Sequence, residues 1–283
     1  MFVRANNKFV KTNGYLKVFK EEEPLIKSFI KTEVNEMTWF ADEFQTYSTL
    51  EDTQIMLIIR HSERYNDGTK SLTENGKEYA KRIGQWLNWR KPYSLTSEDC
   101  VFFSTNVEGN RTKDTALYLS ESMFGTQQFV DDTKSSKFKI DYPIPSSGWP
   151  ECASWSNNPS NEESQANVSK QIINGCYSLL GEKKFGVFVS HDYNTLPLTV
   201  WVTNHNLTFD FQGNITHNEW LCYVAGVMVI ITNGIATMKP VYCIDAYLVN
   251  GQAVNITEGD NGYHGVMRDR DNYGYGNILH SNN

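Results

Sequence analysis

The sequence lacks the features that mark membrane-spanning and nucleic-acid-binding proteins. Its longest apolar run, residues 224–231, is far shorter than the about 18 residues that a bilayer crossing requires. Asp and Glu outnumber Lys and Arg, 33 to 26, and the net charge of −7 argues against the basic surface that broad nucleic-acid binding needs. Residues 1–10 lack the apolar core of a secretory signal peptide. We therefore expect no membrane and no nucleic acid among the partners.

Paired cysteine motifs are also missing. The five cysteines are an odd number at wide spacing, with no Cys-x-x-Cys pair, which favours reduced thiols over a disulfide scaffold. Reduced thiols predict a cytoplasmic protein. A secreted protein is the alternative, because the chain holds four Asn-x-Ser/Thr triplets, although an Asn-rich chain forms such triplets by chance. The triplets begin at Asn167, Asn206, Asn214 and Asn255.

The sequence does contain an alternation of apolar runs and amphipathic segments. Apolar runs at residues 55–59, 100–103 and 186–190 are each followed by a segment with helix-like apolar spacing. Such alternation predicts parallel strands joined by right-handed helical crossovers. The fold class that follows is α/β, with three α/β/α layers around a mixed, mostly parallel central sheet and a small loop-rich cap.

A hairpin is predicted near the carboxyl-terminal end of this sheet. Two apolar runs, residues 226–232 and 235–242, flank Asn233-Gly234, which is a strong signal for a two-residue turn. Because the strands of a hairpin are antiparallel, this hairpin is what makes the expected sheet mixed.

Three regions are predicted along the chain. Residues 1–50 carry scattered apolar residues at helix-like spacing and predict a helical amino-terminal preface. Residues 51–249 form the α/β domain, in which the Pro-, Gly-, Ser- and Asn-rich stretch at about 125–162 predicts the cap. Residues 250–283 are polar and rich in Gly, Asn and Tyr, which predicts a loosely ordered tail.

The most informative segment is residues 55–64, where apolar residues end in Arg60-His61-x-x-Arg64. A buried strand is thus expected to deliver a histidine between two arginines at its carboxyl end, where open α/β sheets bind ligands. Guanidinium groups match the oxygens of a phosphate dianion, and an imidazole beside them is a suitable nucleophile towards phosphorus. Taken alone, a strand-end histidine is more often structural than catalytic.

Two further predicted strands are followed by charged or basic side chains. Arg111 comes after the strand at 100–103, and His191-Asp192 directly follows the strand at 186–190. The carboxyl ends of parallel strands meet at one edge of a sheet, so these groups are expected to converge on His61. An arginine at a helix start is mildly disfavoured by the helix dipole, which favours a ligand-binding role for Arg111.

These segments together resemble the histidine phosphatase superfamily, and most closely its acid-phosphatase branch. The resemblance covers roughly residues 52–245 and includes the closing hairpin. It implies a phosphoglycerate mutase-like fold. The matching segments occur in the order of that family: Arg60-His61-x-x-Arg64, Leu72-Thr-Glu-Asn-Gly76, Ser104-Thr-Asn-Val107 with Arg111-Thr112, and Ser190-His191-Asp192.

The resemblance also implies a role for each side chain. His61 attacks phosphorus and becomes a phosphohistidine, and Asp192 protonates the leaving oxygen and then helps to activate water. His191 completes the catalytic set. No metal ion or other cofactor is required. The phosphoryl oxygens are bound by the basic side chains Arg60, Arg64, Arg111 and His191.

The identity of the general acid is left open. Only 80 positions separate Arg111 from His191, which is closer to the mutase-like branch of the family, where a glutamate from a variable loop is the acid. We favour Asp192 because it directly follows the second histidine, although it is also a candidate helix N-cap. The rival carboxylates are Glu63, Glu108 and Glu151, of which Glu63 is also a candidate ion-pair partner.

Three aromatic residues are candidates for the rim of the pocket. Trp149 and Trp155 lie in the predicted cap, and Tyr65 lies in the loop after the first strand. Aromatic side chains in loops are equally often packing anchors, so both interpretations stay open.

The sequence therefore predicts a metal-independent, acid phosphatase-like hydrolase of phosphate monoesters that acts on a small phosphorylated substrate. The nearest enzymatic alternative is a phosphoglycerate mutase-like phosphotransferase, which returns the phosphoryl group to a substrate hydroxyl. An alternative of another class is a non-catalytic module that binds a phospho-ligand. The oligomeric state is left open.

Overall fold

A computed structural model of the protein describes most of the chain. It covers residues 4–5, 8–9, 26–34, 37–65, 70–105, 109–145, 148–209, 221, 223–242, 248–249 and 252–253.

The strands, in chain order, are β1 (Arg4–Ala5), β2 (Lys8–Phe9), β3 (Ser28–Ile30), β4 (Thr38–Trp39), β5 (Thr53–Arg60), β6 (Cys100–Ser104), β7 (Val130–Asp131), β8 (Phe185–Ser190), β9 (Gly226–Thr232), β10 (Ile235–Tyr242), β11 (Leu248–Val249) and β12 (Gln252–Ala253). The helices are α1 (Phe40–Ser48), α2 (Glu74–Arg90), α3 (Arg111–Phe124), α4 (Trp149–Asn157), α5 (Glu162–Leu180) and α6 (Asp192–Val202).

Eight strands form one central sheet, in the order β3-β10-β9-β5-β8-β6-β7, with β4 paired to β10. Strands β5, β8, β6 and β7 are parallel neighbours, whereas β9 runs antiparallel to both β5 and β10. The β9–β10 hairpin turns at Asn233-Gly234, with positive φ at both residues, as this turn requires. The predicted mixed, mostly parallel sheet is confirmed.

Helices cover both faces of the sheet. Successive side chains of a strand point to opposite faces, so Ile55, Leu57 and Ile59 of β5 pack into one core and Met56 and Ile58 into another. Helices α1, α2, α3 and α4 contribute to the first core and α5 to the second, while α6 contributes to both. The arrangement is the predicted three-layer α/β/α fold.

The amino-terminal prediction is wrong in part. Within residues 1–50, the described helix is confined to α1, and β3 and β4 join the central sheet at its edge beside β10. A strand of three residues is too short to show the period-2 pattern, and the partner that makes β3 a strand lies more than 200 positions away in the chain.

The cap contains more regular structure than its composition indicated. Trp149–Asn157 form α4, and Val130–Asp131 form the edge strand β7. Pro150 favoured a loop in the sequence, but proline is well tolerated in the first turn of a helix, where its missing N–H has no partner to lose.

The tail prediction falls mostly outside the described residues. The exception is Gln252–Ala253, which pair antiparallel with Leu248–Val249. Among the helices that the structure describes, none has both the length and the apolar character needed to cross a bilayer.

Candidate active site

The predicted convergence of strand ends occurs. Arg60 is the last residue of β5 and His61 follows it, while His191 follows β8, the parallel neighbour of β5. The backbone N–H of His61 donates to the carbonyl of Ser190 at 2.8 Å, so the segments that follow β5 and β8 separate only after this point. Arg111 begins α3, which follows the next strand, β6. The four residues therefore meet at the carboxyl edge of the sheet.

His61 is held with one ring nitrogen bonded and the other facing a cation. Its side chain is almost completely buried, with 2% of the residue exposed. Nδ1 lies 2.7 Å from the Ser62 carbonyl, an acceptor, so Nδ1 carries the proton. Arg111 donates from Nε to His61 Nε2 at 3.1 Å, which requires a lone pair on Nε2. The imidazole is therefore neutral, with Nε2 available as a nucleophile.

Arg111 links the two histidines. Besides its bond to His61, its Nη2 lies 3.4 Å from Nδ1 of His191. The two imidazole rings are 5.3 Å apart between centroids and meet edge to face. One guanidinium thus spans both rings, in the space where a phosphoryl group would replace ring nitrogens as its acceptor.

Burial and positive charge both hold the histidines neutral. The pKa of His61 is lowered well below its ordinary value, first by burial, then by its electrostatic interaction with His191 and by the charges of Arg60 and Arg111. Burial and the Arg111 charge lower the pKa of His191 to about 4. Burial, followed by repulsion from Arg64, lowers the pKa of Arg111 to about 10, so it remains a cation at neutral pH. An excess of positive charge near neutral imidazoles suits an anionic ligand.

Arg60 is enclosed from three sides. Only 1% of the residue is exposed. Nη1 donates to the Leu221 carbonyl at 2.6 Å, and Nη2 lies 3.3 Å from Oδ2 of Asp192. The guanidinium carbon sits 4.2 Å from the centroid of the Tyr223 ring. A buried cation needs such partners, since an unpaired one would be strongly destabilising.

Arg64 and Tyr65 lie farther out. Arg64 is half-buried, donates from Nη1 to the Tyr65 carbonyl at 2.9 Å, and is close enough to Arg111 to depress its pKa. Tyr65 is 43% exposed, as a rim residue should be. The phosphate-binding role of Arg64 and the rim position of Tyr65 stay predictions.

A hydrogen-bonded scaffold fixes the loop that carries His61. The buried hydroxyl of Thr115, in α3, accepts from the Ser62 N–H at 2.9 Å and donates to the Arg111 carbonyl at 2.7 Å. Ser62 donates from Oγ to the Gly76 carbonyl at 2.6 Å. The loop is therefore tied to both α2 and α3, and Thr115 couples it to the start of the helix that presents Arg111.

Glu63 belongs to this scaffold. It is buried, and its Oε1 accepts the hydroxyl of Thr73 at 2.6 Å. The same Thr73 caps α2 by accepting from the Gly76 N–H at 2.9 Å. A Cβ on Gly76 would come within 2.1 Å of the Glu63 carbonyl oxygen, so the loop and the helix can approach this closely only at a glycine. Because Glu63 is hydrogen-bonded to Thr73, the N-cap residue of α2, its role is better explained as structural.

Asp192 and Glu151 remain as candidate acids. Asp192 is the first residue of α6, and the N-cap position belongs to His191, so the N-cap alternative is not what the structure shows. Glu151 lies exposed in the first turn of α4, with its carboxylate folded over Gly148. Burial chiefly raises the pKa of Tyr193, and the charges of Asp192 and Glu151 add to the shift, which places both carboxylates near this residue. Glu108 lies outside the described residues.

Trp149 begins α4 and is half-buried against the core rather than extended into solvent. This favours the packing interpretation of the residue. Helix α4 packs on α6, whose first residue is Asp192.

The described residues contain no group of three or more His, Cys, Asp and Glu side chains that could hold a metal ion. The basic groups around His61 would repel a cation. Catalysis without a metal stays a prediction.

Sequence reasoning missed three residues of the site. Tyr223 and Leu221 approach Arg60 from the segment before β9, and no pattern near them indicates a contact some 160 positions away. Thr115 follows Arg111 by four positions, the spacing of one helical turn, and that spacing could have indicated its bond to the Arg111 carbonyl.

No protein-family model matches the chain, and no curated protein matches it. Among solved structures, it is similar to the native structure of a mycobacterial glucosyl-3-phosphoglycerate phosphatase, at 14% identity and a TM-score of 0.36, over 68% of this chain and 98% of the other. It is similar to mycobacterial hydrolase 2 at 14% identity and a TM-score of 0.38, over 74% and 94%. It is similar to a phytase of Klebsiella sp ASR1 at 10% identity and a TM-score of 0.35, over 64% of this chain and 78% of the other. Likenesses of this size assign neither a family nor an activity, so function has to be inferred from the geometry of the site.

Proposed function

We propose that this protein is a member of the histidine phosphatase superfamily that hydrolyses phosphate monoesters through a phosphohistidine at His61. The observation that carries the proposal is the state of His61: buried, neutral, proton on Nδ1, and Nε2 directed at the guanidinium of Arg111. A structural histidine has no need of a lone pair pointing into a cluster of cations. A nucleophile towards a phosphoryl group does.

Substrate binding would replace one acceptor by another. The phosphoryl oxygens would take over the N–H groups of Arg111 that now reach His61 and His191, with Arg60 and Arg64 adding charge. Charge-assisted bonds from guanidinium to phosphate are about twice as strong as neutral ones, so the exchange is favourable. The dianion also reduces the repulsion between Arg111 and Arg64. After burial, that repulsion is the next largest cause of the lowered pKa of Arg111.

In the first chemical step, Nε2 of His61 attacks phosphorus as the bond to the leaving oxygen breaks. Positioning and charge neutralisation supply most of the catalysis of such a transfer. Asp192 donates its proton to the leaving oxygen. Its present partner is Arg60, at 3.3 Å, and a bound dianion competes for that cation, which favours the protonated carboxyl group.

In the second step, water attacks the phosphohistidine. Asp192, now a carboxylate, accepts a proton from that water as the P–N bond breaks and the electron pair returns to Nε2. The products are the alcohol and inorganic phosphate, and His61 is neutral again. The same site would favour small phosphorylated substrates, and an acid phosphatase-like pH range follows from a nucleophile that stays neutral in mild acid.

Cytoplasmic location stays a prediction. The described cysteines Cys100, Cys152 and Cys176 are free and buried, which agrees with a reducing compartment.

Hydrolysis of an aryl phosphate by the wild type and by His61→Ala tests the proposal. We expect release of nitrophenol by the wild type, loss of at least about 10³-fold in His61→Ala, and an acid-labile, base-stable phosphoryl label on the wild type after a quench. His205→Gln is the matched control, since His205 pairs with Glu162 outside the site.

Two outcomes would favour the alternatives. If neither protein turns over while both bind vanadate, the protein is a phospho-ligand binding module. If a phosphorylated sugar acid is isomerised faster than phosphate is released, the protein is a phosphotransferase of the mutase type.

A further inference from the structure

The Arg60 guanidinium is held on its flat face by an aromatic ring from a distant part of the chain. The Tyr223 ring lies 4.2 Å from the guanidinium carbon and 5.8 Å, between centroids, from the His61 ring. Tyr223 is itself fully buried. One residue therefore contacts both the innermost cation and the proposed nucleophile, and it can fix their relative positions.

The same segment also holds the edge of the guanidinium. The Leu221 carbonyl accepts from Nη1 of Arg60 at 2.6 Å, two residues before the ring that covers its face. On the backbone side, the Arg60 N–H donates to the Ala225 carbonyl at 2.9 Å. Ala225, Leu221 and Tyr223 thus contact Arg60 at the backbone, the edge and the face respectively.

A strained residue shapes this segment. Val224 has φ of +53°, in the left-handed region that β-branched residues rarely adopt. The strain is maintained because Val224 is buried in the core and β9 is fixed directly after it, where a Cβ on Gly226 would come within 2.2 Å of the Ile58 carbonyl. Backbone strain that the surroundings enforce is found preferentially at functional sites. Here the strained residue directly follows Tyr223, whose ring covers Arg60, and lies just before the start of β9.

We propose that Tyr223 is a positioning residue of the site: its ring, presented by the strained turn at Val224, orients the Arg60 guanidinium against the phosphoryl group and His61. This inference rests on the proposed function for its kinetic consequences. Its structural consequence, an oriented Arg60 that binds an oxyanion, does not need turnover. Tyr223 takes no part in bond making, and the aromatic face is the element that matters.

The test compares Tyr223→Phe, which keeps the ring, with Tyr223→Leu, which removes it. Affinity for vanadate is measured in all variants, together with kcat and KM for an aryl phosphate as functions of pH. A cation–π contact of a desolvated arginine corresponds to an effect of about 5- to 30-fold. We expect a loss of this size in vanadate affinity and in kcat/KM for Tyr223→Leu, with Tyr223→Phe recovering at least half of the wild-type values.

The pH profile separates positioning from bulk packing. A loosened Arg60 depresses the pKa of His61 less, so the acid limb of kcat/KM moves to higher pH in Tyr223→Leu but not in Tyr223→Phe. Phe138→Leu is the control, since it removes a buried ring that packs on Phe188 and does not contact Arg60.

The inference is overturned if Tyr223→Leu binds vanadate as Tyr223→Phe does, or if Phe138→Leu weakens vanadate binding equally. Should Tyr223→Leu not fold, Tyr223→Met replaces it, and unfolding of both beside a stable Tyr223→Phe makes the ring a core anchor, which also overturns the inference. A wild type that binds vanadate but does not turn over contradicts only the proposed function, because the comparison of vanadate affinities still decides the role of Tyr223.

Discussion

Arg60 and Asp192 form an ion pair at 3.3 Å in which the side chains are only 2% and 11% exposed. The pair joins the end of the central strand to the first turn of α6, so the proposed acid is held by the cation that would bind the substrate. Phosphate binding and the protonation of Asp192 are therefore expected to be coupled.

Replacement of the acid should depend on the leaving group. Asp192→Asn keeps a polar partner for Arg60 but cannot donate a proton as an acid does. We expect kcat/KM, which reports the phosphorylation step alone, to fall by about 10²–10⁴-fold for an alkyl phosphate. For a nitrophenyl phosphate, whose leaving oxygen needs little protonation, kcat/KM should fall by about tenfold or less. Steady-state kinetics on the two esters measures the difference.

Glu151→Gln is the matched control for this comparison. Because Glu151 is exposed and lies in the cap, its substitution should change both rates by less than about threefold. If Glu151→Gln shows the leaving-group-dependent loss and Asp192→Asn does not, the glutamate is the acid and our assignment is wrong.

Stability should fall in mild acid because of the buried histidines. In the folded state the pKa of His191 is lowered to about 4, and burial lowers the pKa of His61 well below its ordinary value of 6.5. Below pH 6.5 the two histidines therefore bind protons in the unfolded chain but stay unprotonated in the folded state. The free energy of unfolding consequently decreases as the pH falls towards about 4. Between pH 7 and pH 5, the free energy of unfolding of His191→Asn should decrease by about 1–2 kcal/mol less than that of the wild type. Urea titrations at the two pH values measure this difference.

Phe138→Leu is the control for this prediction, since it lowers stability without removing a titrating group. It should show the wild-type dependence on pH. Parallel curves for the wild type and His191→Asn would mean that His191 is not held neutral by the fold.

The hydroxyl of Thr115 should matter for both stability and activity. Thr115→Val is nearly isosteric but leaves the buried Ser62 N–H without its acceptor, which costs about 1–3 kcal/mol. Loss of the bond to the Arg111 carbonyl also loosens the start of α3, so we expect KM for an aryl phosphate to rise. Thermal unfolding and steady-state kinetics measure the two effects.

Thr199→Val is a suitable comparison, because that buried hydroxyl only donates to a carbonyl one helical turn earlier, in α6. Thr199→Val should lower the free energy of unfolding by about 1 kcal/mol or more less than Thr115→Val does. Equal destabilisation by the two substitutions would contradict a special role for the Thr115 bridge.

The close approach at Gly76 should not tolerate a side chain. In Gly76→Ala the new Cβ would lie 2.1 Å from the Glu63 carbonyl oxygen, so the loop must move and take His61 with it. We expect a loss of about 1–3 kcal/mol in stability and a larger fractional loss of activity. Asn88→Ala, an exposed position on the same helix, should be neutral or stabilising, and an unimpaired Gly76→Ala would show that the loop is not fixed by this contact.

Much of the fold followed from local pattern. The strands β5 and β8 and the hairpin of β9 and β10 were predicted because each is a long apolar run that ends at a clear signal, and burial on both faces leaves little choice of structure. The strand β3 and the helix α4 were missed because both are short. Their structure depends on partners distant in sequence, β10 for the strand and α6 for the helix.

The candidate site divides in the same way. His61, Arg111 and His191 were predicted to meet because parallel strands place their carboxyl ends at one edge. Nothing local indicated that Glu63 would be bonded to Thr73 or that Tyr223 would cover Arg60, because those contacts depend on how loops pack after the sheet has formed.

The sequence by itself determined which chemical groups are available and at which edge of the sheet they gather, because apolar periodicity and the residues that directly follow each apolar run are local properties. The tertiary structure alone decided which ring nitrogen of His61 is free, which carboxylate pairs with Arg60, and which aromatic face holds that cation. Those properties depend on the contacts of His61 with Arg111 and of Arg60 with Asp192 and Tyr223, at 3.1, 3.3 and 4.2 Å. These residues lie 50 or more positions apart in the chain, and only the packed fold sets such distances.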